Sequence, residues 1–133
     1  MLISEVSYLG NLRTACTHVK SGETIITDAP TDNNGKGEAF SPTDLLATSL
    51  ATCAITIIGI YCRKNNIQFN YCQASVGKIM GTNPRKVDRI QIELKVSDNN
   101  WDKVTQRKVE KVARTCPVEL TLQNNVHIDY KFN

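Results

Sequence analysis

The residues of this 133-residue chain with chemistry of their own are its five cysteines, Cys16, Cys53, Cys62, Cys72 and Cys116. No two are spaced as C-x-x-C, and only His18 and His127 could add ring nitrogens, so a zinc site lacks a ligand set. An odd count argues against a structural disulfide framework. What remains is inert buried thiols or redox chemistry. Cys116 stands before Pro117, a residue that suits a first helical position, so Cys116 reads as an N-cap whose thiol pKa the helix dipole lowers. Cys53 lies inside a long uncharged run. An apolar setting raises a thiol's pKa, and the run supplies no cation before Arg63, so on its surroundings alone Cys53 reads as core filler.

The run that must position Cys53 opens Ser41-Pro42-Thr43-Asp44 and carries no charge from Leu45 to Cys62. Ser41 and Asp44 form an S-x-x-D capping box and Pro42 fits the first helical turn, so a central helix is predicted over 41–64. At about 100° per residue, Leu46, Leu50, Ala54, Ile57, Ile58, Ile60 and Tyr61 share a broad apolar face, with Cys53 on its flank. Thr48, Ser49, Thr52, Thr56 and Gly59 form a narrower face suited to close approach by another helix. The run just reaches the length of a membrane span, but hydroxyl side chains and a glycine dilute it, so it reads as a buried core helix.

Before it, residues 2–9, 12–20 and Glu23 to Thr27 alternate as a three-stranded antiparallel meander within 1–30, turning at Gly10-Asn11. Arg13 falls just past that turn, either as an exposed strand arginine or as a long side chain reaching off the sheet. Residues 28–40 form a turn-rich loop, either mobile or functional; Gly35-Lys36-Gly37 lacks the ending of a phosphate loop. After the helix, 67–80 and 87–96 pair as a hairpin, with Ile90, Ile92, Leu94 and Val96 alternating against polar neighbours. A surface helix follows Asp98-Asn99-Asn100 and carries Trp101, Val104, Val109, Val112 and Ala113. The second-cysteine turn, a short helix and a strand over Val126 to Phe132 complete a single domain over 1–133. The order βββ-α-ββ-α-α-β makes the fold α+β.

Composition narrows the function. Hydrophobic residues make up 41% and charged residues 22%, ordinary for a globular protein. Sixteen Lys and Arg against thirteen Asp and Glu leave a dispersed +3, too weak to imply nucleic acid. Met1-Leu2-Ile3-Ser4-Glu5 has neither the basic start nor the apolar core of a signal peptide, so the reading is cytoplasmic, with no membrane partner.

The stretch from Ser41 to Cys53, Ser-Pro-Thr-Asp-Leu-Leu-Ala-Thr-Ser-Leu-Ala-Thr-Cys, resembles the central-helix signature of the OsmC/Ohr family, the osmotically inducible and organic hydroperoxide resistance proteins. Thr115-Cys116-Pro117-Val118 is similar to the family's second-cysteine motif. Gly10-Asn11-Leu12-Arg13-Thr14 with Thr27-Asp28-Ala29-Pro30 resembles a less characterised OsmC-like branch. The resemblance covers nearly the whole chain. It implies an OsmC-like fold, antiparallel sheets wrapped around a long buried central helix, in an intertwined homodimer with sites at the subunit interface. It also implies a thiol-dependent peroxidase without cofactor or metal, acting on organic hydroperoxides and recycled by a dithiol reductant, lipoyl-type or another thiol. In that scheme Cys53 matches the peroxidatic cysteine and Cys116 the resolving one, Arg13 matches the arginine that stabilises the thiolate, and Asp44 the acid paired with it.

Asp44 tests the scheme. It precedes Cys53 by nine positions, about 13.5 Å of rise and half a turn out of phase, so it joins the site only through Arg13 or from a partner's antiparallel helix. Otherwise it merely caps its helix. Two departures from better-characterised members stand out: Thr43 occupies the place of their glutamate, and Asp44 is shorter. Cys16, Cys62 and Cys72 match no motif and read as structural. Glu119 is a further candidate, for positioning the turn after Cys116. The competing function is a dimeric OsmC-like protein that binds a small apolar ligand, with redox activity weak or lost.

Overall fold

The computed structural model describes all 133 residues. In chain order the elements are β1 (Ser4–Gly10), β2 (Arg13–His18), β3 (Thr24–Asp28), α1 (Pro42–Lys64), β4 (Gln73–Gly81), β5 (Lys86–Lys95), α2 (Lys103–Ala113), α3 (Pro117–Leu122) and β6 (His127–Phe132), with 3-10 turns at Thr31–Asn33 and Ser97–Asn99. This is the α+β order expected from the sequence. The chain forms two compact units, Met1–Leu46 and Ala47–Asn133.

In the first unit β1, β2 and β3 form an antiparallel meander. The tight reversal between β1 and β2 needs left-handed backbone at Gly10, Asn11 and Leu12, where φ is 86°, 53° and 61°. The strands pair Arg13 with Asp28 and Thr14 with Thr27, whose hydroxyls are hydrogen-bonded. The loop after β3 is folded back by its own backbone. Pro30 O accepts from Asn33 and Gly35, and Ala29 O accepts from Gly37 at 3.1 Å. A Cβ on Gly35 would stand 1.8 Å from the Ala29 carbonyl oxygen, so only glycine fits that fold. Buried side chains in this unit are polar: Thr27, Asp28 and Ser41. The apolar ones, including Val6, Tyr8, Leu9 and Ile25, are exposed.

The second unit holds the core. Ala47, Leu50, Ala51, Ala54, Ile58 and Cys62 of α1 pack with Val87, Ile90, Ile92 and Leu94 of β5 and with Val109 and Ala113 of α2. The buried stripe of α1 is thus shifted from the expected one. Leu46 and Ile60 are exposed, while Ala47, Ala51 and Ala54 are buried. The hydroxyls of Thr52 and Thr56 bond back to Ser49 O and Thr52 O within the helix.

The second sheet runs β4-β5-β6 and is mixed, because β6 lies parallel to β5. The expectation of purely antiparallel sheets is corrected here: β6 arrives by way of α2 and α3, and such a crossover allows a parallel neighbour where a tight turn does not. Two boundaries also move. β4 begins at Gln73 rather than 67, because Asn99 takes the backbone groups a ladder would use, accepting from Asn70 and Tyr71 N–H and donating to Tyr71 O. Trp101 precedes α2 instead of lying in it. Asp102 caps the helix by accepting from Thr105 N–H at 2.7 Å, and the indole donates to Gln68 O.

Candidate active site

Pro117 has no N–H to leave unsatisfied, so α3 starts there with Cys116 as its cap. The Cys116 sulfur accepts the Glu119 N–H at 3.4 Å. Its position at a helix start predicts a lowered pKa, and the structure corrects this. Cys116 is fully buried, and burial pushes its thiol up to about 11 despite the N–H bond that pulls the other way. A helix of six residues carries little dipole to offset desolvation. The neighbouring Cys53 side chain adds to the rise. The fold therefore brings together the two cysteines singled out in the sequence, α1 offering Cys53 half-buried beside the capped turn.

A polar cluster surrounds the pair. Arg114, at the end of α2, places both Nε and Nη2 2.7 Å from Oε1 of Glu119. Its guanidinium also lies over the ring of Tyr130 on β6, 4.6 Å from the centroid. Tyr130 in turn stacks on Phe132. Two atoms of this cluster, Oε2 of Glu119 and the Tyr130 hydroxyl, are buried without a hydrogen-bond partner. Burial, then the charges of Glu119 and the two cysteines, drives the Tyr130 pKa upward. A cavity of about 600 Å³ opens beside the cluster, bounded by Arg107, Lys111 and Arg114 on one wall and Tyr130 and Phe132 on another. The spacing Arg-x-Cys-x-x-Glu was the only trace in the sequence that could have singled out Arg114; Tyr130 left none, since only the parallel register of β6 brings it here.

Of the other sequence candidates, Arg13 and Asp44 belong to the first unit. Arg13 Nη2 sits 3.3 Å from both Asp28 and Glu38. Asp28 is buried, and the Glu38 N–H together with Arg13 holds its carboxyl below the usual range. The folded loop thus serves to return Glu38 to Arg13. Asp44 and Ser41 form the expected capping box: Ser41 N–H donates to the Asp44 carboxylate at 2.9 Å, and Asp44 N–H donates to Ser41 Oγ at 3.0 Å. Cys62 and Cys72 have thiol pKa values raised by burial, and the Cys16 sulfur lies 3.9 Å from the Thr14 hydroxyl. No three His, Cys, Asp or Glu side chains converge as a metal site.

A family model described as OsmC-like protein matches residues 35–131. A solved structure from Psychrobacter arcticus 273-4, described as a candidate osmotic stress induced and detoxification response protein, superposes with a TM-score of 0.94 at 44% identity, over 100% of this chain and 96% of that one. An OsmC-like protein from Mycoplasma pneumoniae gives 0.81 at 16% identity, over 100% and 96%. An organic hydroperoxide resistance protein OsmC from Legionella pneumophila gives 0.79 at 15% identity, with the same coverage. No curated protein sequence matches.

Proposed function

The chain belongs to the OsmC-like family, and we propose that within it this protein is a thiol-dependent peroxidase that reduces organic hydroperoxides with a dithiol donor. The observation that carries the reading is the approach of Cys53 to Cys116 inside one unit, from distant parts of the sequence. The Cys53 thiolate attacks the distal peroxide oxygen, the O–O bond breaks, and the alkoxide takes a proton and leaves as alcohol. Cys53 is then a sulfenic acid. Cys116 attacks that sulfur, water leaves, and a disulfide closes. A dithiol, lipoyl-type or another, reopens it by two exchanges and is itself oxidised. The kinship with hydroperoxide resistance proteins supports the substrate class.

Arg13 is assigned to stabilise the thiolate and Asp44 to act with it. Since nine helical positions separate Asp44 from Cys53, Asp44 acts through Arg13 or from the antiparallel central helix of a second copy, and we assign the protein as a homodimer. The apolar side chains left exposed on the first sheet support one. Five free thiols suit a reducing, cytoplasmic setting.

Cumene or tert-butyl hydroperoxide consumption with dihydrolipoyl donor tests the reading. Wild type turns over, Cys53→Ser abolishes turnover, and Cys116→Ser allows one oxidation and then stalls. Intact mass after one equivalent of hydroperoxide shows the loss of two hydrogens, located at Cys53 and Cys116. Unconsumed hydroperoxide with wild type overturns the reading. It would favour instead a dimeric protein that binds a small apolar ligand, the function a buried Cys116 held as thiol near neutral pH would leave.

A further inference from the structure

Closing a disulfide at Cys116 requires its proton to go somewhere. The sulfur is fully buried, and its thiol holds the proton far above neutral pH, so bulk hydroxide is a poor acceptor. The titratable groups that act with it are Cys53 from α1, Glu119 from α3 and Tyr130 from β6, while Arg114 at the end of α2 acts on Glu119 and Tyr130 and is itself acted on by Asp129. Among them Glu119 is the one carboxylate with a free acceptor. An ion pair serving only to staple the turn would use both carboxylate oxygens against the guanidinium fork. Here both Arg114 nitrogens converge on Oε1, leaving Oε2 buried and unpartnered at a cost in free energy. The Glu119 main chain already touches the sulfur through its N–H.

From the one-sided Arg114 pair, the buried free Oε2 and the main-chain contact that holds Glu119 beside Cys116, we infer that Glu119 is the proton acceptor for disulfide closure. The inference deepens the peroxidase reading and rests on its pairing of the two cysteines. As the Cys116 sulfur bonds to the Cys53 sulfur, the Cys116 proton passes to Oε2. When the leaving group is the hydroxyl of a sulfenic acid, the same carboxyl hands that proton over and water departs, so Glu119 ends unchanged. Arg114 holds the carboxylate aimed through Oε1, which makes it a positioning residue.

An aromatic disulfide such as 5,5′-dithiobis(2-nitrobenzoate) isolates the step without peroxide. Attack by Cys53 releases one thionitrobenzoate and leaves a mixed disulfide, and attack by Cys116 on that disulfide releases a second. Cys116→Ser and Cys53→Ser assign the two releases. The inference expects Glu119→Gln to leave the first release within about twofold of wild type and to slow the second at least tenfold at pH 7. The deficit narrows as pH rises and hydroxide takes over, and Glu119→Asp recovers most of the rate. Arg114→Gln, which breaks the same staple but keeps the carboxylate, slows the second release less than Glu119→Gln. A second release in Glu119→Gln within twofold of wild type at pH 7, or a deficit equal at every pH, overturns the inference. So does a wild type that never gives the second release. A chain that closes its disulfide through Glu119 yet leaves hydroperoxide untouched upholds the relay and overturns only the peroxidase reading.

Discussion

Cys116 serves two masters, a helix that wants an acceptor at its cap and a core that wants no charge. Desolvation wins, and the thiol pKa moves from an ordinary 9.0 up to about 11. The native state then keeps a proton that the unfolded chain gives up. Its contribution to stability is complete below pH 9 and is lost as pH climbs from 9 to about 11, about 3 kcal/mol in all at 1.36 kcal/mol per pKa unit. Cys62, Cys72 and Tyr130 act in the same sense. Urea unfolding from pH 7 to 11 should therefore show stability falling above pH 9, with a shallower fall in Cys116→Ala. An equally steep fall in that variant would place the effect elsewhere. At this scale the sequence was legible for position but not for environment. Cys-Pro announces a cap, whereas the charge state depends first on burial and then on neighbours such as Cys53, which reaches Cys116 only in three dimensions.

The central helix shows what periodicity can and cannot say. Its start was readable to the residue, because a capping box is a local hydrogen-bond pattern and Ser41 and Asp44 make both bonds. Its buried stripe was readable in part. Leu50, Ala54 and Ile58 are buried as expected, but Ile60 is exposed and Ala51 buried, and between two apolar residues only packing decides which turns inward. Leu50, with none of its surface exposed, is the largest α1 side chain buried in the shared cluster beside Ile58. Leu50→Ala should cost about 2–5 kcal/mol in chemical denaturation. Ile60→Ala, at an exposed site, should change monomer stability by far less. Comparable losses would mean that the exposed face of α1 is covered in solution. The strands divide the same way. The meander and the β4–β5 hairpin follow from alternation and nearby turns, while β6 pairs with β5 in parallel after two helices, a non-local choice that no short pattern encodes.

Across the whole molecule, every buried apolar side chain lies in residues 47–133, while residues 1–46 bury only Thr27, Asp28 and Ser41. A three-stranded sheet without an apolar core of its own is marginal in water. A second copy of the chain, as proposed, would cover Val6, Tyr8 and Ile25. Sedimentation at micromolar concentration should then give a dimer whose melting temperature rises with concentration, and Tyr8→Lys should shift it toward monomer. A monomer at all concentrations would refute the dimer and, with it, the route by which Asp44 reaches the site from a second copy.

The sulfur at the head of α3 links covalent chemistry to backbone order. The Glu119 amide hydrogen rests on it, so any bond made to that atom, by alkylation or by a second sulfur, disturbs the acceptor that closes the first turn. Solvent exchange of that one amide becomes a gauge of the thiol: slow while the sulfur is free, faster once it is engaged. The helix reports its own oxidation.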